Sequence, residues 1–239
     1  MVKVRFLSKQ QIEWNADRLL AEFGDRFGTV EHPPVPVEEI LETHLKLSME
    51  FDNLASRLGF PDIMGALWAP ERLVAIDESL DPEEHPDKEG RYRYTMGHEI
   101  GHWEQHRHYF LPDANQSDLF PNLPREPSVI CRTSQSKEPI EWQADYFSAC
   151  LLMPRHMVVA AWEQGQTNQL SYVFTRGTID HWRALRTVGS PQAAAAFEVV
   201  SGDLARGFGV SKQAMRIRLE ELSLFRRDQD SLFSPEMMG

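Results

Sequence analysis

Apolar positions along the chain alternate between two periods, and the switches between them divide it into elements. Over "SKQQIEWNADRLLAEFG", Ile12, Leu19, Leu20 and Phe23 recur at helical spacing behind Ser8, a good N-cap residue, so an amphipathic helix is expected there. "HPPVPVEEILETHLKL" enters on prolines and continues as a short helix carrying Ile40, Leu41 and Leu45. "LSMEF", "IMGALWA" and "RLVAIDES" are short, apolar or alternating, and bounded by Pro, Asp and Asn, which predicts strands. The last two are spaced to form a hairpin around "APER". From Gly90 to about His106 the pattern is helical. Residues 107–137 hold Pro112, Pro121, Pro124 and Pro127 and keep no period, so a long loop is expected. Helical patterns resume over Pro139–Leu152 and continue after Pro154. The order is helix, helix, small sheet, then mostly helix, an α+β architecture.

Near the C-terminus, "VVSGDLARGFGVSKQAMRIRLEEL" predicts helix, glycine-containing turn and helix, with Ser211 as the second N-cap. The expected organisation is therefore a main domain over 1–188, a helical, helix-turn-helix-like subdomain over 189–227, and a flexible tail over 228–239.

Composition narrows the function classes. Hydrophobic residues make up 41% and charged residues 26%, ordinary for a globular protein with a core. No apolar run approaches the roughly 20 residues that span a bilayer. "MVKVRFLSKQQIEW" lacks the pattern of a secretory signal, and two cysteines, Cys131 and Cys150, are too few for a disulfide framework. A cytoplasmic location and no membrane association are the expectation. The net charge of −11 argues against non-specific nucleic-acid binding by the whole chain. Residues 201–227 depart from this balance, with six basic side chains against three acidic ones. Lys212, Arg216 and Arg218 are candidates to face phosphates, and a subdomain that packs on protein is the alternative.

The chemistry concentrates in "YTMGHEIGHWEQH", residues 94–106. On a helix, His98 and His102 share one face about 6 Å apart, so both imidazoles can reach one tetrahedral zinc ion. Glu99, beside the first histidine, is placed to take a proton from a metal-activated water, the HExxH arrangement of metalloproteases. A solvated helix with idle histidines is the bland alternative, and it predicts no third ligand. His106 would lie about 12 Å along the axis from His98, too far to share its ion. The better third ligand is Glu141 in "EPIEWQADYFSACLLMP", with Glu138 a weaker rival. Asp145, one turn beyond Glu141, is placed to accept a hydrogen bond from a ligand histidine and fix its tautomer.

These residues resemble the ImmA/IrrE zinc metallopeptidases. "RYRYTMGHEIGHW" is similar to that family's active-site helix and "EWQADYFSACLLMP" to its second motif; the C-terminal helices resemble its helix-turn-helix-like tail. The likeness runs from about residue 35 to 225. It implies a zincin-like, gluzincin-type domain with one Zn2+ per chain, His98, His102 and Glu141 as ligands and Glu99 as general acid/base. Asp145 stands where that family often has Asn. The implied reaction is hydrolysis of a peptide bond in a partner protein, a helix-turn-helix transcriptional repressor, which relieves repression. The competing class is a non-catalytic zinc-containing regulator or antitoxin-like protein that acts through DNA or protein binding by its C-terminal helices.

Some residues stay unassigned at this level. A Cys131 thiolate is a candidate inhibitory ligand at the metal's open position, against an ordinary loop cysteine; Cys150 is expected in the core. His106, His108, His156, Tyr146 and Tyr172 are alternatives for stabilising an oxyanion. "RLVAIDES" is the expected edge strand for an extended substrate.

Overall fold

The computed structural model describes residues 4–111, 126–132, 138–166 and 191–224. It contains two compact units, one of residues 1–30 with 35–152, the other of residues 31–34 with 153–239.

In the first unit, helix α1 (Lys9–Phe27) opens with a capping box: Ser8 Oγ accepts from the Gln11 N–H, and the Ser8 N–H donates to the Gln11 side chain. Its stripe of Ile12, Ala16, Leu19, Leu20 and Phe23 is buried. A short helix, α2 (Val37–Glu39), continues as a π-turn over Ile40–His44. Strand β1 (Ser48–Asp52) leads through α3 (Leu54–Leu58) to β2 (Ile63–Trp68) and β3 (Leu73–Asp77). β2 and β3 pair antiparallel as the expected hairpin, with Arg72 in a left-handed conformation at φ 55°.

Helix α4 (Glu89–His106) lies against β2 and packs along α5 (Pro139–Leu152), which also carries α1. Between these helices, the stretch read as one long loop contains a strand, β4 (Val129–Arg132), antiparallel to β2. Four residues between prolines show no period of their own. The strand exists because β2 offers a free edge and Arg132 pairs with Asp62 at 2.8 Å. The sheet order is β1-β3-β2-β4, with β1 and β3 parallel. β3 is thus interior, which overturns its expected place at an edge; among the described strands the edges are β1 and β4.

The second unit contains α6 (Arg155–Gln166), α7 (Pro191–Phe208) and α8 (Lys212–Glu221). α7 and α8 pack together across a turn with Gly209 at φ 61°, and Ser211 Oγ caps α8 by accepting from the Ala214 N–H. Glu198 on α7 pairs with Lys212 and Arg216 on α8, each at 2.9 Å. Arg218, 1% exposed, donates from Nε to the Met153 carbonyl, so it cannot face a phosphate as expected. The position 188 boundary and the 228–239 tail lie outside the described residues. Among the described residues no helix is long and apolar enough to cross a membrane.

Candidate metal centre

α4 is helical despite two glycines in its centre, and both are there because α5 comes so close. A Cβ at Gly97 would stand 2.5 Å from Ser148 Oγ, and one at Gly101 would stand 3.0 Å from the Ala144 backbone. This approach buries the polar face of α4: His102 and Glu99 are fully buried and His98 nearly so. It also brings Glu141 across from them.

His98 Nε2 lies 3.2 Å from Glu141 Oε2, and His102 Nε2 lies 3.5 Å from Glu141 Oε1. The two Nε2 atoms are 2.9 Å apart. One atom from each of His98, His102 and Glu141 falls within 4.8 Å of the others, a grouping able to hold a metal ion, and Glu138 is not part of it. Asp145 Oδ1 sits 2.9 Å from His98 Nδ1 and accepts its proton-bearing N–H, which turns Nε2 of His98 toward Glu141. Tyr94 Oη donates to the Asp145 carbonyl and carboxylate and steadies it.

The electrostatics suit a cation. Burial alone would raise the Glu141 carboxyl, but the neighbouring imidazoles, His102 first and His98 second, outweigh it and hold the carboxyl at about 2. Around His98, burial favours the neutral ring, yet the nearby Cys131, Asp145 and Glu141 together push its pKa well up. Positive charge is therefore favoured at this point. Glu99 is the opposite case. Both of its carboxylate oxygens are buried with no hydrogen-bond partner, and burial, opposed by His98 and aided by Glu141, raises its pKa to about 8. An orphaned, fully buried carboxylate beside two imidazoles and a second carboxylate fits a hydrated divalent ion, which would give Glu99 its missing partner.

Two features were not anticipated. Gly65 on β2 passes under Glu99, and a Cβ there would come within 2.7 Å of both Glu99 Oε1 and Thr95 Cγ2. Its only signal in the sequence is a glycine inside a strand pattern, which often marks a close approach. His106, one turn beyond His102, has both nitrogens engaged: Nδ1 with His102 Nδ1 at 3.1 Å and Nε2 with Gln143 Oε1 at 3.1 Å. Burial first, and His102 second, hold its pKa at about 4. With no nitrogen free, it is removed from the oxyanion candidates.

Of the others, Tyr146 stacks on Trp142 beneath the Lys9 ammonium, His108 packs at a tilt against Tyr109, and Tyr172 lies outside the described residues. His156 belongs to the second unit. Cys131, on β4, is brought to the site: its Sγ, a His98 nitrogen and a Glu99 oxygen lie within 4.8 Å of one another. Cys150 is buried in the core, and neither cysteine is in a disulfide.

No curated protein is similar enough to the chain to match it. The family model of Peptidase M78, described as the IrrE N-terminal-like domain, matches residues 71–220. That span is more than half of the chain and includes Glu99, both histidines, Cys131 and Glu141. A buried metal-binding grouping inside this match places the chain in the Peptidase M78 family of metallopeptidases.

Proposed function

We propose that the protein is a zinc endopeptidase of the zincin-like, gluzincin type that cuts a partner protein in the cytoplasm. The observation that carries this reading is Glu99, a buried carboxylate with no partner, next to His98, His102 and Glu141. A structural zinc site closes with four protein ligands, whereas three ligands and an adjacent free carboxylate leave room for water and substrate. Zinc held by His98, His102 and Glu141 would supply a Lewis acid that acidifies a coordinated water and polarises the scissile carbonyl. Glu99 accepts the water's proton and delivers it to the leaving amine. Its raised pKa in the ion-free chain means that it holds a proton readily; a cation beside it favours the carboxylate form. Asp145 keeps His98 in the tautomer that binds. β4 offers an edge on which an extended substrate can add as a strand near the site.

The substrate class we propose is a helix-turn-helix transcriptional repressor, whose cleavage would relieve repression. Support comes from the ImmA/IrrE-like motifs and the family match. In the helix-turn-helix-like pair α7–α8, Lys212 and Arg216 are engaged by Glu198, which supports a protein-packing role over DNA contact. A regulatory reading is favoured by one observation: the Cys131 thiol stands beside His98 and Glu99, where it can occupy the position that water needs.

The test is co-expression with a candidate repressor encoded beside the gene. Wild type should cut the partner to discrete fragments, and Glu99→Gln should bind zinc yet lose cleavage by roughly 10²–10⁴-fold. Equal cleavage by both forms would remove Glu99 as the base.

A further inference from the structure

The metal-facing nitrogen of His98 is explained by Asp145, but His102 has no carboxylate behind it. Its Nδ1 faces another imidazole nitrogen, which by itself leaves open which of the two carries a proton. The ambiguity is resolved three links away. The backbone carbonyl of Arg5 can only accept, and Gln143 Nε2 lies 3.0 Å from it. The Gln143 amide therefore turns its NH2 toward Arg5 and its Oε1 toward His106. Oε1 can only accept as well, so the neutral His106 ring carries its proton on Nε2. That leaves a lone pair on His106 Nδ1. The 3.1 Å contact with His102 Nδ1 then requires the proton to sit on His102. His102 Nε2 is left unprotonated, facing His98 Nε2 at 2.9 Å and Glu141 Oε1 at 3.5 Å.

His102 Nε2, His98 Nε2 and the Glu141 carboxylate thus converge on one buried point. Arg5 is held on its other side too, its N–H donating to Tyr109 Oη at 2.9 Å, and Phe6 stacks on Trp142. The N-terminal segment thus serves as the anchor of the relay.

We propose that His106 is a positioning residue for the metal centre: backed by Gln143 and the Arg5 carbonyl, it fixes the His102 proton on Nδ1 and frees Nε2 to bind the ion. This rests on the metal reading above and adds to it an assigned task for residues that touch neither ion nor substrate. Partners of this kind behind a ligand histidine contribute about 10–100-fold to metal affinity.

The experiment uses the full chain and zinc alone, with affinity read by competition against a chromophoric chelator at fixed pH. In His106→Asn the amide oxygen occupies nearly the place of the lost Nδ1 and can still accept from His102. In His106→Leu a methyl group stands there. Leu should bind zinc about 10–100-fold more weakly than wild type, and Asn should stay within about threefold of it. Equal losses in both variants would mean that His106 matters only for packing, and wild-type affinity in the Leu variant would mean that it does not matter; either overturns the proposal. If wild type itself binds no zinc, the metal reading and this proposal fall together. Should the Leu variant not fold, nitrogen-15 NMR of zinc-loaded wild type decides. Protonation at Nε2 of His106 and Nδ1 of His102 is expected, and protonation at Nδ1 of His106 overturns the relay.

Discussion

Replacing Glu99 by glutamine should change how the ion-free protein responds to pH, and the size of the change follows from burial. The side chain is fully buried and neither oxygen has a partner, so ionising it in the folded state is costly. Its pKa stands at about 8 against 4.5 for a free glutamate. Between these values the folded chain keeps a proton that the unfolded chain has released. The stability from that retained proton is therefore complete below pH 4.5 and is lost as pH rises to about 8. At about 1.4 kcal/mol per pKa unit, the loss from pH 5 to pH 8 is roughly 3–4 kcal/mol. Glu99→Gln stays neutral throughout and should not show it. The assay is urea unfolding of chelator-treated wild type and variant at several pH values across this window. The difference between the two should grow by roughly 3–4 kcal/mol toward pH 8. Zinc should flatten it, because a cation at the site favours the carboxylate. Parallel curves without zinc would mean that Glu99 is solvated or partnered, and the case for it as a waiting base would fail.

Two further outcomes are expected. Gly65→Ala pushes a methyl group to within 2.7 Å of Glu99 Oε1 and Thr95 Cγ2. It should cost about 1–3 kcal/mol in overpacking, partly offset by the stiffer backbone, and displacing Glu99 should slow cleavage roughly 10²-fold with zinc content unchanged; a wild-type rate would separate Gly65 from the base. Cys131→Ser should raise basal cleavage, by roughly tenfold for an inhibitory contact of about 1.4 kcal/mol, and should abolish the response to thiol-modifying reagents. Identical rates and reagent responses in both forms would leave Cys131 without a regulatory task.

Much of the site was legible because it is local. The four-residue spacing of His98 and His102, and of Glu141 and Asp145, is the helix repeat itself, so periodicity places each pair on one face. What periodicity cannot carry is which elements meet. Local pattern predicts loop at β4 and an edge at β3, whereas strand order is decided by long-range pairing; β4 is a strand only because β2 accepts it. Gly65 gains its role only from the crossing of α4 over β2. The His106 relay was the least accessible. It closes through Arg5, 138 positions from Gln143, and through a backbone carbonyl that no side-chain pattern reports. Arg218 shows the converse: its charge suggests a surface, yet it is buried and donates a hydrogen bond to the Met153 carbonyl.

The central claim is that His98, His102 and Glu141 together hold one catalytic zinc ion. Native mass spectrometry of the purified full chain, with zinc supplied, counts ions per molecule without needing a substrate. Wild type should carry one zinc, Glu99→Gln should carry one as well, and the His98→Ala/Glu141→Ala double variant should carry none while keeping its helical circular dichroism. Full zinc occupancy in a folded double variant would contradict the assignment of those two ligands.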